Sequence, residues 1–223
     1  LTANTTGAYN NAVGAYALDA NTTANNNTAF GLYTVTSCTT GYSNVGVGNY
    51  ALGTVVTGNN NVAMGDGALR YHTGSNSVGI GQQAAHYRTG NSCTAVGYQA
   101  AMGASGDAAG VNNNAFGTSA LKACTSGATN SAFGNDALDA LTTGTHSMAF
   151  GNGALSAQTT GTYNVAMGFN SFGQGTGTST ALTAGYNVAI GSSSLNTITT
   201  GGYNVAIGAN AGNEMTANSY NVV

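Results

Sequence analysis

The apolar positions of this chain recur on a fixed short period along all of its 223 residues. A glycine preceded by a large apolar residue, and before that by Ala or Gly, marks the period. These anchors are Gly14, Gly31, Gly48, Gly65, Gly81, Gly97, Gly117, Gly134, Gly151, Gly168, Gly191 and Gly208, and their spacings are 17, 17, 17, 16, 16, 20, 17, 17, 17, 23 and 17. Seven of the eleven intervals are identical. A period in this range is the mark of a repeat architecture in which each unit buries its apolar residues against its neighbours.

Each column around the anchor has a chemical reading. The residue just before it is Val13, Phe30, Val47, Met64, Ile80, Val96, Phe116, Phe133, Phe150, Met167, Ile190 or Ile207. The residue before that is always Ala or Gly. Four before the anchor, Asn recurs at Asn10, Asn27, Asn44, Asn61, Asn113, Asn130, Asn164, Asn187 and Asn204. Four after it, Leu recurs at Leu18, Leu52, Leu69, Leu121, Leu138, Leu155 and Leu195. A Thr-Thr-Gly or similar segment closes the unit, with its Gly seven before the anchor, as at Gly41 and Gly127.

The segment Asn204 to Gly208 alternates as a short strand does, so its successive side chains face opposite sides. The face with the large residue is expected to fill the core. The Ala/Gly face is expected to lie against another backbone. The Ala-Leu pair predicts a second short strand or a bend facing that core, and the Thr-Thr-Gly segment predicts a turn with Gly free to take positive φ. The Asn column predicts either a ladder along the stack or an Asx-turn repeated at a corner. Helix–turn–helix arrays need roughly 33–47 residues per unit, and Thr, Asn and Gly are poor helix formers. The pattern therefore predicts an all-β fold: a parallel β-solenoid (β-roll) of about thirteen 17-residue coils. It forms a single array over 1–223, with Asn221 placed 17 after Asn204 as the start of another repeat, a fragment of a longer fibre.

Composition sharpens this reading. Only 4% of residues are charged, against roughly 25% in ordinary soluble domains. The hydrophobic fraction is 42%, Gly numbers 35 and Pro is absent. Polarity thus comes from neutral Asn, Thr and Ser, which can stack without charge repulsion. With 3 basic and 6 acidic residues, no basic stripe exists for a nucleic-acid partner. No apolar run approaches a membrane span. Each 17-residue unit offers about two sizeable apolar side chains, which offsets little of the entropy lost on ordering it. Association of identical chains side by side is expected to supply further burial, in a number that these columns do not fix.

The unit Asn61 to Leu69, reading Asn-Val-Ala-Met-Gly-Asp-Gly-Ala-Leu and followed by a turn of the Thr-Thr-Gly type, resembles two kinds of fibre repeat. One is the head repeat of trimeric autotransporter adhesins, which builds a left-handed parallel β-roll. The other is the Asn-Thr-Ala-Ile-Gly-x-x-Ala-Leu array of phage tail fibres and large surface proteins. The resemblance covers essentially the whole chain. It implies a homotrimeric fibre, joined to adjoining fibre segments, on a virion or a bacterial cell surface and serving attachment. The coiled-coil stalk and membrane anchor of the adhesins and the self-cleaving chaperone of tail fibres are not seen in this sequence.

Candidate chemistry is thin. Tyr163, Tyr186, Tyr203 and Tyr220 share one column, five before the anchor, and are the candidate surface-recognition residues, with host surface glycans as the partner. That gives a glycan-binding receptor head as an alternative to a structural shaft. Flat Thr rows would suit an ice-binding solenoid, but here Thr-Thr adjoins Gly and reads as a turn. His72, His86 and His146 fall in three different columns, with no Ser-His-Asp arrangement, and are read as scattered surface residues. Asp19, Asp66, Asp107, Asp136, Asp139 and Glu214 are too sparse for a calcium-binding repeat. No catalytic residue, metal or cofactor is expected, and the chain is read as no enzyme.

Two further expectations concern cysteine and the long intervals. Cys38 and Cys124 share a column but lie five coils apart, about 24 Å at strand spacing, beyond disulfide reach; Cys93 lies in another column. All three are expected to be free and packed as small apolar residues. The long intervals predict insertions emerging as loops near 102–111 and 173–184.

Overall fold

The computed structural model describes residues 1–104, 109–172 and 183–223. Its strands are three residues long and fall one per coil: β1 (Asn11–Val13), β2 (Thr28–Phe30), β3 (Val45–Val47), β4 (Val62–Met64), β5 (Val78–Ile80), β6 (Thr94–Val96), β7 (Asn114–Phe116), β8 (Ser131–Phe133), β9 (Met148–Phe150), β10 (Val165–Met167), β11 (Val188–Ile190) and β12 (Val205–Ile207). They form one sheet in sequence order, every pair parallel. The chain is an all-β solenoid of about 11 turns, where the sequence had suggested about thirteen. An isolated bridge from Val205 to Val222 opens a further turn.

The pairing keeps the columns in register through both long intervals. Thr94 pairs with Asn114 across the first and Val165 with Val188 across the second. Of the insertions expected near 102–111 and 173–184, residues 105–108 and 173–182 lie outside the described residues. Beside the first, Gly103 N–H donates to the Lys122 carbonyl at 3.0 Å, so the coil is kept up to that point.

The two faces of the strand are the reverse of what hydrophobicity suggested. The central Ala or Gly points inward and is buried in eleven of the strands, from Ala29 to Ala206. The large residue beside the anchor points outward: Phe30 is 56% exposed, Phe150 57% and Ile207 62%. Volume decides the matter. The interior of a coil is already filled by the Leu column, fully buried at Leu18, Leu52, Leu69, Leu121, Leu138, Leu155 and Leu195. A Cβ placed on Gly46 would sit 2.6 Å from Thr34 Cγ2 and 2.8 Å from Val35 Cγ2, and one on Gly79 2.9 Å from Leu69 Cγ. Nothing larger than Ala fits on the inner side of the strand.

The Ala-Leu pair forms a bend rather than a second strand, and Leu sits there with positive φ, near +50° at Leu18 and +55° at Leu121. This is an uncommon conformation for a non-glycine residue. It is held by the next coil, where Leu18 N–H donates to Thr34 O at 3.2 Å and Leu121 N–H to Ala137 O at 2.9 Å. The anchor glycines do take positive φ, from +123° at Gly81 to +139° at Gly31. The turn glycines serve another purpose. In Gly127 an added Cβ would lie 2.6 Å from the Gly144 carbonyl oxygen of the next coil. Positive φ at this corner falls instead on the residue two further on, such as Thr129 or Tyr163.

The Asn column is a ladder between coils. Asn44 N–H donates to Asn27 Oδ1 at 2.9 Å, and Asn27 Nδ2 donates to Gly41 O at 2.8 Å. The same two bonds recur at Asn130, whose Oδ1 accepts from Ser147 N–H at 3.0 Å and whose Nδ2 donates to Gly144 O at 2.9 Å. Each Asn thus satisfies a buried backbone donor and a buried turn carbonyl of the following coil, groups that would otherwise carry a desolvation penalty. Ser77, Cys93 and Ser147 occupy the same column where Asn is missing. The serines still accept: Cys93 N–H donates to Ser77 Oγ at 3.2 Å.

Candidate functional site

Three features of the coil carry chemistry: an outward apolar face, stacks of aromatic rings, and a buried column of mixed character. The apolar face follows directly from the strand geometry. Residues one and three before each anchor project together from the sheet, in strands fixed in register by their neighbours. Phe116 and Phe133 stack at 4.9 Å with planes 4° apart, and Phe150 continues the row at 5.9 Å and 32°. Met64, Met148 and Met167 are also exposed on this face. Sequence reasoning assigned this row to the core and so missed it as a surface.

The candidate recognition residues do come together. His146, Tyr163, Tyr186, Tyr203 and Tyr220 form one continuous stack, with centroid separations of 4.7, 4.9, 4.9 and 5.0 Å and planes within 15° of parallel. The rings are exposed, Tyr163 at 47% and Tyr220 at 78%. Parallel strand pairing sets the spacing, because residues in one column repeat at the inter-strand distance. Within the row each ring covers its neighbours' faces, so a ligand meets the ring edges and hydroxyls rather than open π-faces. A second stack joins Tyr16, Tyr33 and Tyr50 at 4.6 and 5.2 Å. Gly67 leaves the place above Tyr50 empty of a side chain, and the Arg70 guanidinium fills it, 4.2 Å from the ring centroid. Tyr71 and Tyr87 form a third pair at 5.2 Å.

The turn threonines divide their work. The first donates along the stack, Thr22 Oγ1 to Thr39 O at 3.2 Å and Thr142 Oγ1 to Thr159 O at 3.0 Å. The second, as at Thr23, Thr40 and Thr143, is exposed in a single file at the turn.

Inside the coil, seven residues after the anchor, lies a buried column of unlike side chains: Asn21, Cys38, Val55, His72, Arg88, Cys124, Leu141, Gln158 and Ile198. His72 therefore lies inside rather than on the surface; His86, five after its anchor, is covered between Tyr71 and Tyr87 with Nδ1 2.6 Å from the Gly67 carbonyl oxygen, and only His146 of the three histidines is exposed. Burial lowers the His72 pKa to about 4, although its Nδ1 lies 2.7 Å from the Arg88 carbonyl oxygen. A carbonyl only accepts, so Nδ1 carries the proton and Nε2 is left unpartnered in the interior. Burial likewise lowers the pKa of His86. It raises that of Cys38 to about 11.

Arg88 is fully buried and repairs a gap in the Asn ladder. Cys93 stands where an Asn would donate to the carbonyl of Gly110 in the next coil. Arg88 Nη2 donates to that oxygen at 2.9 Å, and Nη1 donates to Cys124 O at 2.9 Å. Cys38, Cys93 and Cys124 are buried and free, and burial holds the Cys93 thiol above its ordinary pKa. On the outside of the coil Asp139 is half-buried, and burial together with Asp136 raises its carboxyl to about 6.

Among the described residues, no three His, Cys, Asp or Glu side chains are grouped to hold a metal ion, and no helix is long and apolar enough to cross a membrane. No family model, curated protein or solved structure matches this chain.

Proposed function

We propose that this chain is a segment of the shaft of an extracellular trimeric fibre, of the tail-fibre or adhesin type, whose wider purpose is attachment to a host or surface. The observation that carries the reading is the unbroken outward apolar row of β1 to β12, a surface that water covers at a cost. Eleven strand steps at roughly 4.8 Å give a face about 53 Å long, and three residues per strand make it about 10 Å wide. One such face covers about 500 Å², so two facing copies bury about 1,000 Å² together, the lower bound for a specific interface. An uncharged periodic row is matched in length and spacing by another copy of itself. The recurring columns also have structural work in core, ladder or turn, and among the described residues no cluster converges on a reaction centre.

A second reading is favoured by one observation, the exposed Tyr163–Tyr220 stack: a receptor-binding head that meets surface glycans along ring edges and hydroxyls. Mass photometry combined with a glycan array separates the two. A trimer that binds no glycan supports the shaft, saturable glycan binding supports the head, and a stable monomer overturns the association.

A further inference from the structure

We infer that the tyrosine stacks are sites of oxidative phenol coupling, which staples successive coils together through ortho–ortho carbon–carbon bonds. Nine of the 12 tyrosines lie in parallel stacks: Tyr16–Tyr33–Tyr50, Tyr71–Tyr87 and Tyr163–Tyr186–Tyr203–Tyr220. In the last, neighbours are 4.9, 4.9 and 5.0 Å apart with planes at 15°, 8° and 1°. A quarter-turn of two such rings about their Cβ–Cγ bonds sets facing ortho carbons edge to edge, and the width of the two half-rings then brings those carbons far closer than the 4.9 Å between centroids. The rings of the longest stack are exposed, Tyr186 at 48% and Tyr203 at 52%, and so are open to oxidation from solvent.

The chemistry suits what the chain does and does not contain. Trp is absent from the sequence and all three cysteines are buried, so the phenols are the accessible groups most easily oxidised to radicals. Hydrogen peroxide, acting through a peroxidase, takes one hydrogen atom from each of two tyrosines and is reduced to two waters. The two phenoxyl radicals share spin at their ortho carbons and join there. Each ring then loses its ortho hydrogen as a proton and regains the phenol, so one link removes two hydrogens from the chain in total. Radical pairing is normally limited by encounter. Here the partners are fixed by the register Val165↔Val188 and Val188↔Val205 and by the Asn164–Asn187–Asn204 ladder, which gives them a high effective concentration. A ring inside a stack has two ortho positions and can join both neighbours. The product is a covalent rail along the outside of the solenoid, and an oxidising surface environment would harden the coils against unwinding.

The chain supplies its own control. Tyr9, Tyr42 and Tyr98 are exposed at 83%, 47% and 47% but belong to no stack. The test treats the dilute full chain with horseradish peroxidase and hydrogen peroxide and maps linked peptides by fragment mass spectrometry. The expected result is loss of two hydrogens per link, with links confined to stacked neighbours such as Tyr186–Tyr203, and a raised melting temperature. Tyr186→Phe keeps the ring but lacks the phenol. It should abolish the links to Tyr163 and Tyr203 while those within Tyr16–Tyr33–Tyr50 persist. Links forming as readily at Tyr9, Tyr42 and Tyr98, or oxygen addition without linking, would overturn the inference.

Discussion

Replacing Asn130 with Ala should be among the most damaging single changes in the array for its size. The side chain is fully buried. Its Oδ1 accepts from Ser147 N–H at 3.0 Å, and its Nδ2 donates to Gly144 O at 2.9 Å. Truncation leaves one buried donor and one buried acceptor of the next coil without partners, at about 1–3 kcal/mol each. A small cavity adds to this, for a total on the order of 3–5 kcal/mol. Ser147→Ala is the matched control in the next position of the column. Ser147 makes only one such bond, accepting from Asn164 N–H at a long 3.4 Å, so about 1 kcal/mol should be lost. Urea unfolding followed by circular dichroism gives the stability difference. Because solenoids can open locally, amide exchange at Ser147 should be read alongside it, and its protection should fall in Asn130→Ala. If the two substitutions cost the same, or if Asn130→Ala costs less than about 0.5 kcal/mol, the ladder does not stabilise the stack as argued.

Other substitutions address other columns. Gly127→Ala forces a Cβ to within 2.6 Å of the Gly144 oxygen and 3.1 Å of Cys124 Sγ, so the coils must part; a loss of more than about 2 kcal/mol is expected in thermal melts. Gly53→Ala, whose nearest contact is Tyr50 O at 3.2 Å, should be much milder. Phe133→Lys places a charge in the middle of the outward Phe row; native circular dichroism with loss of the proposed trimer by mass photometry is expected, and a trimer that persists unchanged would remove this face from the proposed interface. His72 should make stability fall with pH. Its folded pKa of about 4 lies below the ordinary 6.5, so between those values the unfolded chain binds a proton that the folded chain does not. Stability should decline by up to about 3 kcal/mol as pH drops through that window. His72→Ile, which puts in this column the residue found at Ile198, should flatten that part of the urea-midpoint profile.

The period and the strands were legible because both have a steric cause written into the sequence. The anchor glycines take positive φ in every coil, and glycine fills the turn column, where it lies close against the next coil, at every described coil except those of Ala24 and Ala184. The Asn column was legible as a ladder or an Asx-turn, and its bonding to the following coil decides for the ladder. What hydrophobicity could not give was the direction of the strand. Apolarity alone puts Phe30, Phe133 and Ile207 inside, whereas the Leu column already occupies the interior. One signal was available. The outward column ranges from Val13 to Phe150 in volume, and a close-packed core tolerates such changes poorly, while the inner strand position holds only Ala or Gly. That signal has its own exception in the column of Cys38, His72, Arg88 and Leu141, which varies as widely and is buried.

The exception explains itself at the turn. Side chains seven after the anchor end beside the turn carbonyls. Cys38 Sγ donates to Gly41 O at 3.2 Å and Cys124 Sγ to Gly127 O at 3.4 Å, while Arg88 reaches one coil further to Gly110 O. A position that can either bond a carbonyl or fill space beneath it accepts residues of different size and polarity. Arg88 and Cys93 then read as a coupled pair: the Cys removes the amide that an Asn would donate, and the guanidinium restores the donor. Cys93→Asn in the presence of Arg88 should therefore bring two donors to one carbonyl and add little stability. Arg88→Leu alone should leave Gly110 O unsatisfied and be costly, and the double substitution should recover much of that loss. A double-mutant cycle by urea unfolding measures this coupling directly. Additive effects would mean that the two residues act independently and that the buried arginine has some other cause.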